Sequence, residues 1–457
     1  MKTLLVKNAR CVATFDEKMS RLENADIYIE GPRIAAIGPH LGKKADSVID
    51  AANMVVLPGL INTHHHFYQT LTRAVREVQN ARLFDWLVFL YEIWRGITPD
   101  AVYWSALGAM SELLLTGCAC TADHLYLFPH SQPCTLIDEE IRAAREIGIR
   151  FHPTRGSMSL GKSKGGLPPD DVVQKEEIIL EDSLRLIRTY HDPGPFSMCR
   201  IALAPCSPFS VTPELMRETA KLARDHQVLL HTHLAETPDE DDFCQKRLGM
   251  RPLEYMQSLD WLGDDVWFAH CVYLNEDEIR LMAETRTGVA HCPSSNMRLG
   301  SGAAPIPRMM ETGVPVGLAV DGSASNDSSD MLAEARQCML LHRVTKGVGA
   351  MSAEQALGLA TRGGAAVLRR TDIGSLEKGK AADMALFDLD RLDLAGALDD
   401  PVAALVFCGI SHKAHTVIVN GEVVVKDGRL MRVEEQTIRE QMNKHSARMR
   451  KQSANRL

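Results

Sequence analysis

Apolar and polar positions alternate with different periods along three stretches of the chain. Over residues 1–55 the apolar runs are short (4–6, 25–29 and 34–37) and are broken by turn signals at Gly31-Pro32 and Gly38-Pro39. A similar stretch returns near the C-terminus. Residues 384–387 and 416–419 read as strands, and Asn420-Gly421 reads as the hairpin turn leading into 422–425. Neither end carries enough apolar strand for its own core, so the pattern predicts one small composite β-sandwich domain built from both termini (1–55 and 371–430). Residues 431–457 are polar and basic and read as a helical tail that frays.

Between them, residues 56–370 alternate strand-like apolar runs with helix-period segments. The runs are 55–62, 118–123, 149–154, 201–205, 228–233, 266–270, 288–291 and 315–321, each followed by a helix-capable stretch. Eight βα units over that length predict an α/β fold, a closed (β/α)8 TIM-type barrel. Barrel active sites form at the C-terminal ends of the strands. His64, His66, His124, His233, His270, His291 and Asp321 all fall at or just past such an end. The glycine- and proline-rich segment 160–169 is expected as a mobile loop above the third strand.

Composition narrows the function classes. Hydrophobic residues make up 45% and charged residues 24%, which excludes a disordered or fibrous chain. The net charge is −8 and no basic run stands out, so neither nucleic acid nor an anionic membrane is an expected partner. No window approaches the ~18 apolar residues of a membrane span. Eleven cysteines without framework spacing predict reduced thiols and a cytoplasmic protein.

The chemistry sits at the strand ends. In 58–66, PGLINTHHH, alternation puts His64 and His66 on one side of the strand and His65 on the other, so two imidazoles can grip one ion. The fifth run ends in His231-Thr232-His233, where His233 is the better placed ligand and His231 reads as a hydrogen-bonded core histidine. Glu236 follows in the turn above, within reach of a substrate. The eighth run ends in Asp321. Three imidazoles and a carboxylate suit one Zn2+ per chain, with Fe2+ or Mn2+ as alternatives, and leave a position open for water. The phosphate-loop look-alike at 374–381 lacks the hydroxyl residue that would hold magnesium, and neither H-x-E with P-C-x-x-C nor H-E-x-x-H is present.

The segments PGLINTHHH, HTHLAE, AHCVYL, AHCPSSNMRLGSG and AVDGSASND resemble the amidohydrolase superfamily, in its deaminase and chlorohydrolase branch, over nearly the whole chain. The resemblance implies that His64, His66, His233 and Asp321 bind one metal, that Glu236 shuttles protons and that His270 orients the attacking water. The fourth run, 201–206, has no lysine of the kind that bridges two metals in binuclear members. The implied reaction is hydrolytic deamination of a ring carbon that lies between ring nitrogens and bears an amine, by a zinc-dependent aminohydrolase. NTHHHFYQTLTRA, LFDWLVFLYEIW and LAPCSPFSVT look most like the bacterial 8-oxoguanine deaminases. That makes 8-oxoguanine the expected small-molecule heterocyclic substrate, with urate and ammonia as products. Guanine, isocytosine and amino-s-triazines of the hydroxyatrazine type are the alternatives, and a non-catalytic binding protein on the same fold is the rival of another class. Gln69, Trp86, Tyr126 and Arg155 are the candidate substrate contacts, each weighed against ordinary packing or pairing. A homo-oligomer is expected from relatives alone.

Overall fold

A computed structural model describes residues 2–409 and 413–454. Nine strands from both ends of the chain form one mixed sheet: β1 (Thr3–Ala13), β2 (Arg21–Glu30), β3 (Arg33–Pro39), β4 (Ser47–Asp50), β5 (Met54–Pro58), β14 (Met384–Asp388), β15 (Thr416–Val419), β16 (Glu422–Lys426) and β17 (Arg429–Leu430). Their order is β17-β16-β15-β14-β5-β1-β2-β3, with β4 also on β1. The β5–β14 pairing, Val56 opposite Leu386, is where the two ends of the chain meet. Val6, Ile27, Ile29, Val56, Leu386 and Ile418 pack into a core of their own, so the sheet folds over on itself. The Asn420-Gly421 turn has both residues left-handed, φ 52° and 79°, as a tight hairpin requires.

The other eight strands are parallel and neighbour one another in sequence order: β6 (Leu60–Asn62), β7 (Cys118–Leu125), β8 (Arg150–Ser157), β9 (Ala202–Pro205), β10 (Leu229–Leu234), β11 (Val266–His270), β12 (Gly288–His291) and β13 (Val316–Leu318). Helices follow most of them, for example Pro213–Asp225 after β9 and Glu276–Thr285 after β11. The first and last strands meet through Thr63 N–H to Leu318 O (3.2 Å), Asn62 Oδ1 from Val320 N–H (2.9 Å) and His64 O from Asp321 N–H (3.2 Å). These bonds close the barrel and bring the end of the eighth unit against the first.

Two expectations change. The run 55–62 is not one barrel strand. It breaks at Pro58-Gly59 into β5, in the terminal sheet, and β6, in the barrel. Gly59 is pressed so closely on the Ala119 side chain and the Asp383 backbone that a Cβ there would collide, so the chain can cross between sheets only as glycine. The tail, in turn, does not fray within the described residues. Glu435–Ala454 is a helix that buries Ile438, His445 and Met449, sets Met442 against Gly108, and donates from Ser446 Oγ to Leu71 O (2.6 Å). Residues 455–457 of that expected tail lie outside the described residues.

Barrel and sheet are also locked by charge. Arg150 at the start of β8 is fully buried. It forms a two-pronged pair with Asp383 (2.9 and 3.0 Å) and donates to the Phe196 and Ser197 carbonyls (2.8 and 2.6 Å). Asp383 also accepts from Asn420 N–H (2.6 Å) in the hairpin. Removing one partner of such a pair strands a buried charge, at a cost of about 3–5 kcal/mol. Asp383→Ala is therefore expected to lower unfolding free energy by that order in urea titration; a midpoint unchanged within about 0.5 kcal/mol would show that the pair does not lock the two sheets.

Candidate metal centre and active site

The C-terminal ends of β6, β10, β11 and β13 converge on one buried cavity. His66, His233, Glu236, His270 and Asp321 all border it. His64 Nε2 and His66 Nε2 lie 3.3 and 3.4 Å from Asp321 Oδ1, and His66 Nε2 lies 3.1 Å from His233 Nε2. His270 Nε2 is 4.0 Å from Asp321 Oδ2 and 3.6 Å from Glu236 Oε2. Several residues that turn these side chains inward have left-handed backbone, unusual for non-glycine residues: Ala235 (φ 52°), His270 (75°), Cys271 (51°) and Asp321 (61°).

Hydrogen-bond partners assign the tautomers. His66 Nδ1–H donates to His124 O (2.7 Å) and His233 Nδ1–H to Cys206 O (2.6 Å). His231 Nδ1–H donates to Trp267 O (2.9 Å), which leaves its Nε2 to accept from His64 Nδ1–H (2.7 Å). All three inward Nε2 atoms of His64, His66 and His233 therefore carry lone pairs. His64 Nε2 is buried without a hydrogen-bond partner, and two lone pairs face each other at 3.1 Å with no proton between them. A cation satisfies this arrangement. The 3.1–3.4 Å separations are near the ~3.3 Å edge of a tetrahedron with ~2.0–2.1 Å bonds, and three imidazoles with one carboxylate suit a divalent ion. Burial keeps the imidazoles of His64, His66 and His233 neutral by lowering their pKa values, as coordination demands.

The carboxyl groups divide into two kinds. Burial opposes ionisation of Asp321, but the His64, His270 and His66 rings that face it outweigh burial and hold its pKa well below the usual range. Glu236 is pushed well above its usual value by burial first, then by the charges of Asp321 and Glu240, against a bond from the Ser301 hydroxyl (3.5 Å). Burial pushes His270 down to about 4, and its Nδ1 is held by Asn296 Nδ2 (3.0 Å). The cavity thus sets a carboxyl group whose ionised form is favoured opposite one whose protonated form is favoured.

Of the four candidate substrate contacts, three line this cavity: Gln69, Trp86 and Tyr126. Gln69 Oε1 and Trp86 Nε1 are buried with no protein partner, so they are free to meet a ligand. Gly322 gives the Gln69 carboxamide its room, since a Cβ there would overlap it. Arg155 is placed otherwise. It is wholly buried, paired with Asp182 (2.7 Å), bonded to Gln174 (2.8 Å) and stacked 3.8 Å over the Phe128 ring, so it takes the pairing alternative and not a substrate contact. The polar groups behind the site were not singled out from sequence as site residues. His231, expected as a hydrogen-bonded core histidine, is one, and its bond to His64 sets that ring's tautomer, while Glu240 stands among the acids Asp239-Glu240-Asp241-Asp242.

Known proteins agree with this geometry. Residues 55–424 match the model of the amidohydrolase family. The chain is 50% identical over 405 residues to an 8-oxoguanine deaminase of Pseudomonas aeruginosa, covering 88% of this chain and 90% of that one. It is 35% identical over 452 residues to a hydroxydechloroatrazine ethylaminohydrolase of Pseudomonas sp. strain ADP, covering 95% and 93%. Among solved structures, the zinc complex of an atrazine chlorohydrolase from Arthrobacter aurescens TC1 superposes with a TM-score of 0.93 at 37% identity, over 97% of this chain and all of that one. With eight parallel strands converging on a histidine–aspartate cluster, the chain belongs to the amidohydrolase family.

Proposed function

We propose that this chain is a zinc-dependent aminohydrolase that converts 8-oxoguanine and water to urate and ammonia. The observation that carries the reading is the buried Glu236 carboxyl on the wall of the cavity that also holds Asp321 and His270, with His270 Nε2 3.6 Å from Glu236 and 4.0 Å from Asp321. Half-identity over most of the chain to a protein named for that substrate supports the choice of ring. Cys11 in β1 and the nine cysteines of the barrel and its loops form no disulfide, which supports a reducing compartment such as the cytoplasm.

In this reading His64, His66, His233 and Asp321 hold one zinc ion. Such an ion supplies Lewis acidity that brings the pKa of water near neutrality. Asp321 accepts a proton from the attacking water, and His270, fixed by Asn296, aligns that water through Nε2. Glu236 donates its proton to the ring nitrogen beside the amine-bearing carbon and so makes that carbon electrophilic. A C–O bond forms, the C–N bond breaks with its electron pair going to nitrogen, and the amine leaves as ammonia after taking up a proton. Gln69 pairs with the ring's carbonyl and adjacent N–H, while Trp86 and Tyr126 flank the ring.

Four measurements check the proposal. Zinc-loaded protein is expected to release ammonia fastest from 8-oxoguanine, with urate at an equal rate, in parallel assays against guanine, isocytosine and an amino-s-triazine. Faster release from a triazine would move the substrate to the second reading, which the ethylaminohydrolase relative favours. Chelation is expected to abolish turnover, and readdition of about one zinc per chain to restore it. Glu236→Gln should keep its metal and lose roughly 10²–10⁴-fold in kcat; full activity would remove Glu236 from the proton path. Asp321→Asn should lose both turnover and metal, as read by elemental analysis after dialysis.

A further inference from the structure

The turn that carries Glu236 is held by a second buried carboxylate. Glu240 lies in the first turn of the helix Pro238–Leu248 and is 1% exposed. One of its oxygens accepts from Ala235 N–H (2.9 Å) and the other from Glu236 N–H (3.0 Å). The carbonyl of Ala235 is also taken, by Val272 N–H (2.9 Å) and Tyr273 N–H (3.0 Å) just past His270. Ala235 is left-handed at φ 52°, a conformation that an alanine keeps only when its surroundings enforce it. The Glu236 side chain itself has little to hold it. The Ser301 hydroxyl stands 3.5 Å away and His270 Nε2 3.6 Å. Its place is therefore set through the main chain.

We infer that Glu240 is a positioning residue that aims the Glu236 carboxyl at the substrate ring by clamping the Ala235 and Glu236 amides. The inference rests on the reading of Glu236 as proton donor. Two N–H groups converging on one side chain need two acceptors, and a carboxylate offers both. Glutamine offers one acceptor and would set its NH2 against the other amide. Aspartate keeps both oxygens but draws them back by one methylene. An error of the order of 1 Å in a proton donor costs up to about 10²-fold in rate.

The test uses full-length, zinc-loaded protein with Glu240→Gln and Glu240→Asp, each made alone and in the Glu236→Gln background. Ammonia release is read under steady-state and single-turnover conditions, together with metal per chain. Glu240→Gln is expected to lower kcat by about tenfold to hundredfold, with KM and metal content near those of the parent, and Glu240→Asp to lower it less. In the Glu236→Gln background neither change should cost anything further, because a residue acting through Glu236 has nothing left to act on. The same fractional loss in both backgrounds, or no loss in kcat at all, would overturn the assignment. Where Glu240→Gln does not fold, Glu240→Asp decides by the same comparison. Full activity in Glu236→Gln alone would instead remove the proton-donor reading on which the inference rests.

Discussion

Two imidazole nitrogens, each with its ring proton committed to a backbone carbonyl, face one another at 3.1 Å, and that repulsion organises the rest of the site. Lone pairs so close are tolerable only beside positive charge. Every neighbouring choice serves this arrangement. His231 donates its Nδ1–H to Trp267 O so that its Nε2 can accept from His64, and this turns the His64 lone pair inward as well. The ionised Asp321 adds the negative charge that completes a cation site, and barrel closure between β6 and β13 brings it there. The terminal sheet matters to the same end. Its β5 continues directly into β6, so the position of His64 and His66 depends on the Gly59 crossing and on the Arg150–Asp383 lock beside it.

Much of this was legible in the sequence because the period of a strand is simple. Alternation alone separates His64 and His66 from His65, and the structure turns His65 away to bond Ser329 (2.9 Å). Strand-end position selected His233 over His231, and Asp321 after an apolar run. What sequence could not show was whatever depends on contacts across the fold. The run 55–62 is apolar on both sides of Pro58-Gly59, so its period does not show that the chain changes sheet there. Arg155 follows the apolar run 149–154 in sequence, as a ligand-binding residue would, but lies within β8, and only packing reveals Asp182 beside it. The tail's polar character hid its docking, because Ile438, His445 and Met449 are few and widely spaced. Glu240 belongs to a run of four acids with nothing in the sequence to single it out, yet it is the one whose oxygens turn back to the Ala235 and Glu236 amides.

The distribution of charge among the carboxyl groups follows from burial and not from residue type. Asp321, Glu236 and Glu240 all lie in or behind one nearly dry cavity, where three ionised groups at close range would repel strongly. Asp321 resolves its share by facing imidazoles, and Glu240 by accepting two amide protons. Glu236 has neither, with one hydroxyl at 3.5 Å as its partner, and burial pushes it well above its usual value; burial raises Glu240 as well, to about 7, against the pull of its two amide partners. The difference among these carboxyl groups is thus produced by the rings, amides and hydroxyl that face each one. A cavity in which one carboxyl favours its ionised form and another its protonated form, beside three inward lone pairs, fits the proposed addition of water at an electron-poor ring carbon with protonation of the nitrogen next to it.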